Sequence, residues 1–309
     1  MLDSAVVALR LLQYGGAMIL LGSSLFFIHA LPRRGAGSAG EAPWARGLIA
    51  AAAALLAAAA LLSLPVHASL LAGSASEAFN PETLAALVTA MGLGKAAVVR
   101  ACAAVAACVL VLALRPSRGS WSAVAALGAV AVASLAWMGH GAATEGAMGR
   151  IHLISDVLHS WAAAVWIGAL AAFLFLLLAR RRSSEEATAL HRALHGFSGV
   201  GSLVVAVLVM TGAVNGAILV GLDRIEGLWT TPYGRLLSLK ILLFLGMLGL
   251  AAANRYRLTP ALRAALGAPE GLDVAVAALR RSLVVETAFG LAVLALVAWF
   301  GTLPPPAAL

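Results

Sequence analysis

Long apolar runs separated by short polar breaks recur from one end of this chain to the other. Eight of them reach the length that a helix needs to cross a bilayer core of about 30 Å. They fall at residues 5–31, 47–72, 84–114, 121–141, 151–179, 197–220, 235–254 and 281–302. The pattern predicts an all-α protein, a polytopic bundle of about eight transmembrane helices forming one integral membrane domain over residues 1–309. The third run is long, and its first part, through Met91 to Gly94, is expected to lie in the interface rather than to cross. The longest connections are residues 180–196 and 255–280. The second carries Leu262, Leu266, Leu272, Val276 and Leu279 among charges, which predicts a short amphipathic helix on the membrane surface. Pro304, Pro305 and Pro306 cannot continue a helix and end the last span. The opening run is too long for the apolar core of a cleavable signal and reads as a span.

A faint internal similarity divides the chain into halves, residues 1–141 and 151–309. Leu12-Gln13 and Gly22 match Leu158-His159 and Gly168 at the same spacing. The stretch from Ser63 through His67 to Gly73 aligns without gaps on that from Thr211 through Asn215 to Gly221. Gly94-Lys95 followed by Arg100 matches Gly234-Arg235 followed by Lys240, and Trp137-Met138-Gly139-His140 matches Trp299-Phe300-Gly301-Thr302. Four spans in each half would insert the two copies in the same orientation. A parallel four-helix repeat about an axis along the membrane normal is therefore expected, with a site at the interface between the copies.

Composition supports the membrane reading. Residues are 62% hydrophobic and only 11% charged, against roughly 25% charged in a soluble domain. The formal charge of +8 would suggest nucleic acid in a soluble protein, but its placement argues for topology instead. Arginines crowd alternate loops: Arg33, Arg34 and Arg46; Arg115 and Arg118; Arg180, Arg181, Arg182 and Arg192; and Arg255, Arg257, Arg263, Arg280 and Arg281. The opposite loops hold Arg150, Arg224 and Arg235 with Glu77, Glu82, Glu145, Asp223 and Glu226. This bias predicts a bacterial inner-membrane protein with both termini on the periplasmic side. Cys102 and Cys108 lie six apart on one helix, point in different directions and cannot pair with each other.

Ionisable residues inside a membrane are costly and mark functional sites by default. The fifth run opens with His152, Asp156 and His159, followed by Trp166. At 3.6 residues per turn these four span an arc of roughly 80°, and the two histidines are about 10 Å apart along the axis. Such spacing suits two successive stations better than one shared ion, with Asp156 placed to orient an imidazole. His67, Met138, His140 and Met148 gather at the same end, near Glu145. Imidazole suits copper, zinc and iron, and thioether selects copper(I), so a His/Met set facing an oxidising compartment leans toward copper. Arg100 and Lys240 either snorkel to outer headgroups or pair with Asp156. Thr211 and Asn215 share a face at i, i+4 and either line a polar path or lock helices together. His29, His191 and His195 read as loop residues of the other side, and Glu286 as a partner for Arg280 or Arg281. A haem clamped between His67 and His159 is the rival reading. The sequence has no Gly-rich phosphate loop with its Lys-Ser/Thr, and no catalytic triad pattern, so an ATP-driven pump or hydrolase is not expected.

One ordered series of motifs has a wider echo. Gly139-His140-Gly141 is followed by Asp156-Val157-Leu158-His159, Trp166-Ile167-Gly168, Phe197-Ser198 and Thr211-Gly212 with Asn215. Then come Thr231-Pro232-Tyr233-Gly234-Arg235 with Lys240, and Asn254-Arg255 with Leu258 and Pro260. Over residues 139–260 this series resembles the copper resistance protein D (CopD) family of bacterial inner-membrane proteins. The resemblance implies copper transport or handling at that membrane and a periplasmic copper-binding partner of the CopC type. On that view copper is the ion, His140, His152, Asp156 and His159 form its path inward, and Met138, Met148 and His67 are accessory ligands. A role for His67 rests on the internal repeat rather than on the family.

Overall fold

Backbone polar groups in hydrocarbon have no water to bond, so each spanning segment must satisfy its own, and here helices do so throughout. The computed structural model describes residues 2–30, 43–142, 144, 146–178, 184–267 and 269–309, with no strand among them. Eleven α-helices follow in order: α1 Leu2–Ala30, α2 Pro43–Ala72, α3 Pro81–Ala90, α4 Gly92–Ala113, α5 Arg118–Ala133, α6 Gly146–Leu178, α7 Ser184–Val220, α8 Gly227–Thr230, α9 Pro232–Ala253, α10 Thr259–Ala265 and α11 Pro269–Phe300. Eight of these elements are long and apolar enough to cross a membrane, as the hydropathy pattern predicts. Arg33, Arg34, Glu145 and Arg180 to Arg182 lie outside the described residues.

Several boundaries differ from expectation for physical reasons. The third run breaks at Met91, whose extended backbone separates α3 from α4, and Asn80 caps α3 with its side-chain oxygen. The helix that opens at Ser184 absorbs most of the expected connection 180–196. Residues 255–280 do not form a surface helix. A π-helical turn, Asn254–Leu258, leads into the short α10, and the final helix begins already at Pro269. Leu262 and Leu279, read as lipid-facing, are fully buried in the protein core. Two leucine stripes that suit an interface suit a helix-to-helix contact equally well, and packing decided the matter. Pro65 sits inside α2, which runs on to Ala72 as the second apolar run does.

The two four-span halves meet along α1 and α6, with α1 the most enclosed of the spans and α9 the least. Their crossing is close because both helices lack a side chain where they touch. A Cβ on Gly22 would run into the Ala164 carbonyl, and one on Gly168 into the Gly22 backbone. Ser23 Oγ donates to the Gly168 carbonyl at 2.8 Å across the same contact. Small residues at helix crossings let backbones approach where no hydrophobic drive separates protein from lipid.

Paired positions of the internal alignment adopt matching local geometry. Gly73 and Gly221, which follow α2 and α7, both take left-handed φ, +69° and +82°. A Cβ on Gly94 would meet the Leu87 carbonyl, and one on Gly234 the Gly227 carbonyl, seven residues back in each case. The halves differ in one respect. α2 packs along α4, whereas α7 and α9 diverge and leave a cleft.

The α1–α6 crossing gives the first test. Gly168→Ala should destabilise the purified protein by about 3 kcal/mol through overpacking against backbone. Gly199→Ala, where a Cβ meets open space, should leave thermal unfolding in detergent unchanged. Equal melting of both variants and wild type would remove the crossing from the fold's foundations.

Candidate functional site

Polar side chains collect at the end of the bundle that carries both termini, in two adjacent groups. The first lies among α1, α2, α4 and the 3-10 turn Ser134–Met138 that continues α5. Arg100 of α4 is fully buried, with no exposed surface. Its guanidinium donates to Gln13 Oε1, to Ser134 Oγ at 3.0 Å, to the Ser134 carbonyl at 2.8 Å and to Met138 Sδ at 2.8 Å. Arg100 thus does not snorkel to headgroups; neutral acceptors replace its water. Arg10, also buried, donates to the Met138 carbonyl and packs on Gly139 and Gly301, while its Nε and Nη2 have no hydrogen-bond partner. His67 joins this group, its Nδ1 at 2.6 Å from the Ser63 carbonyl.

The second group belongs to α6, α7, α9 and α11. His152 is buried, 1% exposed, and its Nδ1 lies 2.8 Å from Thr144 Oγ1. His159 Nδ1 lies 2.9 Å from Thr211 Oγ1. Threonine hydroxyls, not Asp156, therefore orient the two imidazoles. Asp156 is half-buried between them, its carboxyl pressed on Gly141 so closely that a Cβ there would collide with it. Lys240 of α9 is the cation that acts on Asp156, with no ion pair within 4 Å joining them. The Lys240 ammonium instead sits 5.8 Å from the centre of the Phe300 ring, a cation–π distance. Asn215 projects a buried Oδ1 without a partner. At the positions that the internal alignment pairs with Lys240 and Phe300, Arg100 donates to Met138.

Between the groups stands the loop after Met138. His140 Nε2 lies 3.0 Å from the Leu303 carbonyl, and its ring meets Tyr233 edge-on at 5.9 Å. Met148 is on the surface at 52% exposed, and Met138 already serves Arg100. Among the described residues, no three His, Cys, Asp or Glu side chains gather as a preformed metal shell. The expected ligands share one end of the bundle but stand apart, His67 and Met138 with the first group, His152, Asp156 and His159 with the second. Arg10, Tyr14, Ser134, Thr144 and Tyr233 complete the arrangement and were missed in the sequence. A signal existed for two of them: Arg10, Gln13 and Tyr14 fall on one face of the first span at i, i+3, i+4.

Comparison with known proteins gives this geometry its family. Residues 1–150 match the family described as "Copper resistance protein D-like, N-terminal domain", and residues 191–300 match "Copper resistance protein D". Copper resistance protein D of Pseudomonas syringae pv. tomato is 35% identical over 305 residues, covering 98% of this chain and 97% of its own. The chain belongs to the copper resistance protein D family. Inner membrane protein YebZ of Escherichia coli (strain K12) is 34% identical over 42% of this chain and 43% of its own. Copper transport protein CutJ of Bacillus subtilis (strain 168) is 28% identical over 84% of this chain but 46% of its own. No solved structure matches. The CopD resemblance, read in the sequence over residues 139–260, thus extends into the first half. The segment of α6 with His152, Asp156 and His159 lies between the two family matches and within the full-length one.

His140 of this CopD-family chain lies outside the spans, and burial holds its imidazole below the usual value of 6.5. The Leu303 carbonyl opposes the shift and Arg10 adds to it. With the folded value depressed, the folded state binds fewer protons than the unfolded chain below pH 6.5. This contribution to stability is whole above that pH and is lost as pH falls toward the folded value. Acidification should lower the unfolding temperature less in His140→Gln, which keeps a donor for Leu303 but cannot titrate. Parallel melting curves across pH would show that His140 does not report its burial.

Proposed function

We propose that this protein carries copper across the bacterial inner membrane, taking the ion from the periplasmic side through stations set in series. The observation that carries this reading is Asp156, a half-buried acid within a span, with His152 one turn above it and His159 one turn below on α6. Full-length similarity to a protein named copper resistance protein D supports copper as the cargo. The arginine-rich loops support a periplasmic placement of the termini and of this site, and the name of YebZ supports the inner membrane. A periplasmic copper protein of the CopC type would deliver the ion to the loop bearing His140.

Separate imidazoles favour transfer over storage. A closed shell of three or four ligands binds tightly and releases slowly, whereas one or two ligands at each step let the ion move on. His140 and His152 would receive copper at the mouth, Asp156 and His159 would hold it deeper, and Thr211 and Asn215 would line the way past. His67, Met138 and Met148 would be accessory ligands, with Met138 available only after Arg100 lets go of its sulfur. Lys240 supplies the positive charge in the field of Asp156 while copper is absent, and an arriving ion would displace it. Two halves with matched glycines and matched cation positions fit a parallel repeat, with the copper path built on the second copy and a structural counterpart on the first.

Copper titration of detergent-purified protein checks the assignment. Affinity should fall at least about tenfold in the His152→Ala/His159→Ala double variant, and Lys240→Met should bind copper more tightly but carry it more slowly in proteoliposomes. Unchanged affinity in the double variant sinks the site. Copper bound but never moved across the vesicle membrane would make the protein an anchor for its chaperone. A Soret band in copper-free protein would put haem in copper's place.

A further inference from the structure

The cleft between α7 and α9 opens at the opposite end of the bundle, on the face of the arginine-rich connections. Its volume is about 380 Å³, and its lining runs from exposed His195, Arg255 and Tyr256 to buried Glu286 on α11. Glu286 is only 2% exposed. Trp166 Nε1 donates to one of its oxygens at 2.8 Å, and Asn254 Nδ2 donates to the other at 2.8 Å. The expected pairing with Arg280 or Arg281 is not made. Both donors are neutral, so nothing balances a charge on this carboxylate. The partner amide is itself incomplete, because Asn254, 7% exposed, has a buried Oδ1 without any hydrogen-bond partner.

An intramembrane acid without a counter-cation is an expensive feature, and packing does not require it. Carried down the helices without gaps, the internal alignment pairs Trp166 with Leu20 and Glu286 with Val124, both buried in the apolar core. At these positions the first half carries hydrocarbon instead. The second half has exchanged packing for a carboxyl, an amide and an opening.

We infer that Glu286 is a proton-loading acid, served through this cleft from the face that carries the arginine-rich connections. Ionised, the carboxylate accepts from Trp166 and from the Asn254 amide. A proton delivered by water in the cleft bonds to Oε2, forming an O–H and leaving a neutral acid. That O–H needs an acceptor, and Asn254 supplies one when its amide turns over and brings the orphan Oδ1 to face Oε2. The released Nδ2 then points to cleft water. Each protonation state thereby has a complete partner, which the structure provides with one amide.

None of the described charged groups around the cleft is bonded to Glu286. His29 ends α1, His195 is on α7, Arg255 and Tyr256 are on the π-helical turn, Arg263 is on α10, and Arg280 and Arg281 precede Glu286 on α11. Among the described residues, the bonds to its buried carboxyl come from Trp166 and Asn254. The inference stands on the cleft and this carboxyl alone, and it holds whatever ion the other end binds.

Infrared difference spectra of the full chain in lipid nanodiscs, recorded while pH is stepped, provide the test. A carboxylic C=O band should appear on acidification, vanish in Glu286→Gln and persist in Asp156→Asn. Asn254→Leu should shift both the band and its midpoint, and Glu286→Asp should retain a titrating band if the glutamine variant misfolds. Ser202→Trp, at the cleft wall, should slow the band's response to a pH jump severalfold. A wild-type spectrum matching that of folded Glu286→Gln overturns the proton site, and an unchanged rate in Ser202→Trp overturns the cleft as its route. Neither result touches the copper reading, which copper affinity decides separately.

Discussion

Everything polar in this bundle depends on two helices touching backbone to backbone. At Gly22 and Gly168 the halves approach more closely than any side chain would allow, and Ser23 ties the contact with a hydrogen bond to the Gly168 carbonyl. The crossing sets Gln13 on α1 and His159 on α6 at the same remove, nine residues before their respective glycines. It thereby stands the Arg100 group and the Asp156 group side by side at one end. Two residues before Gly168, Trp166 reaches across to Glu286 on α11. One contact therefore fixes the spacing of both ends, and a looser crossing would misalign each polar group with its partners.

The two groups near the termini handle charge differently. Arg100 is surrounded by an amide oxygen, a hydroxyl, a carbonyl and a thioether, which is a full set of acceptors and leaves little reason to move. Lys240 has a ring face and a distant carboxylate, which is a weaker hold. A guanidinium offers five donors in a fixed fork, whereas an ammonium is a compact charge on a flexible stem. The exchange of one cation for the other at paired positions separates a locked half from a yielding one. Asp156 sits on the yielding side.

Much of this was legible in the residues. Eight spans follow from hydrophobic length, and the family from an ordered set of short motifs. The candidate residues were found as a list of types and depths, and their partners were not. Helical spacing places Asp156 on the same face as two imidazoles but says nothing of Thr144 or Thr211, which come from other segments and take the bonds that Asp156 was expected to make. Arg100 was read as snorkelling to headgroups or pairing with Asp156, and Glu286 as pairing with Arg280 or Arg281. Their real partners lie across the bundle, where Gln13, Met138, Trp166 and Asn254 are uncharged and carry no sign in a charge pattern. The leucines of residues 255–280 mislead for a related reason: apolar stripes record that a face is covered and leave open whether lipid or protein covers it.

The segment after the last helix is stitched to the same end of the molecule. Leu303 holds His140 through its carbonyl, Arg224 donates to the Pro306 carbonyl at 3.0 Å, and Pro306 packs on Gly227. Pro304 and Pro305 stiffen this strap before it closes in a 3-10 turn, Pro306–Ala308. Leu309, 69% exposed, lies past these attachment points. A change anywhere along this strap would therefore be felt at the loop of His140, which makes the strap's attachments a condition of the chemistry at that mouth.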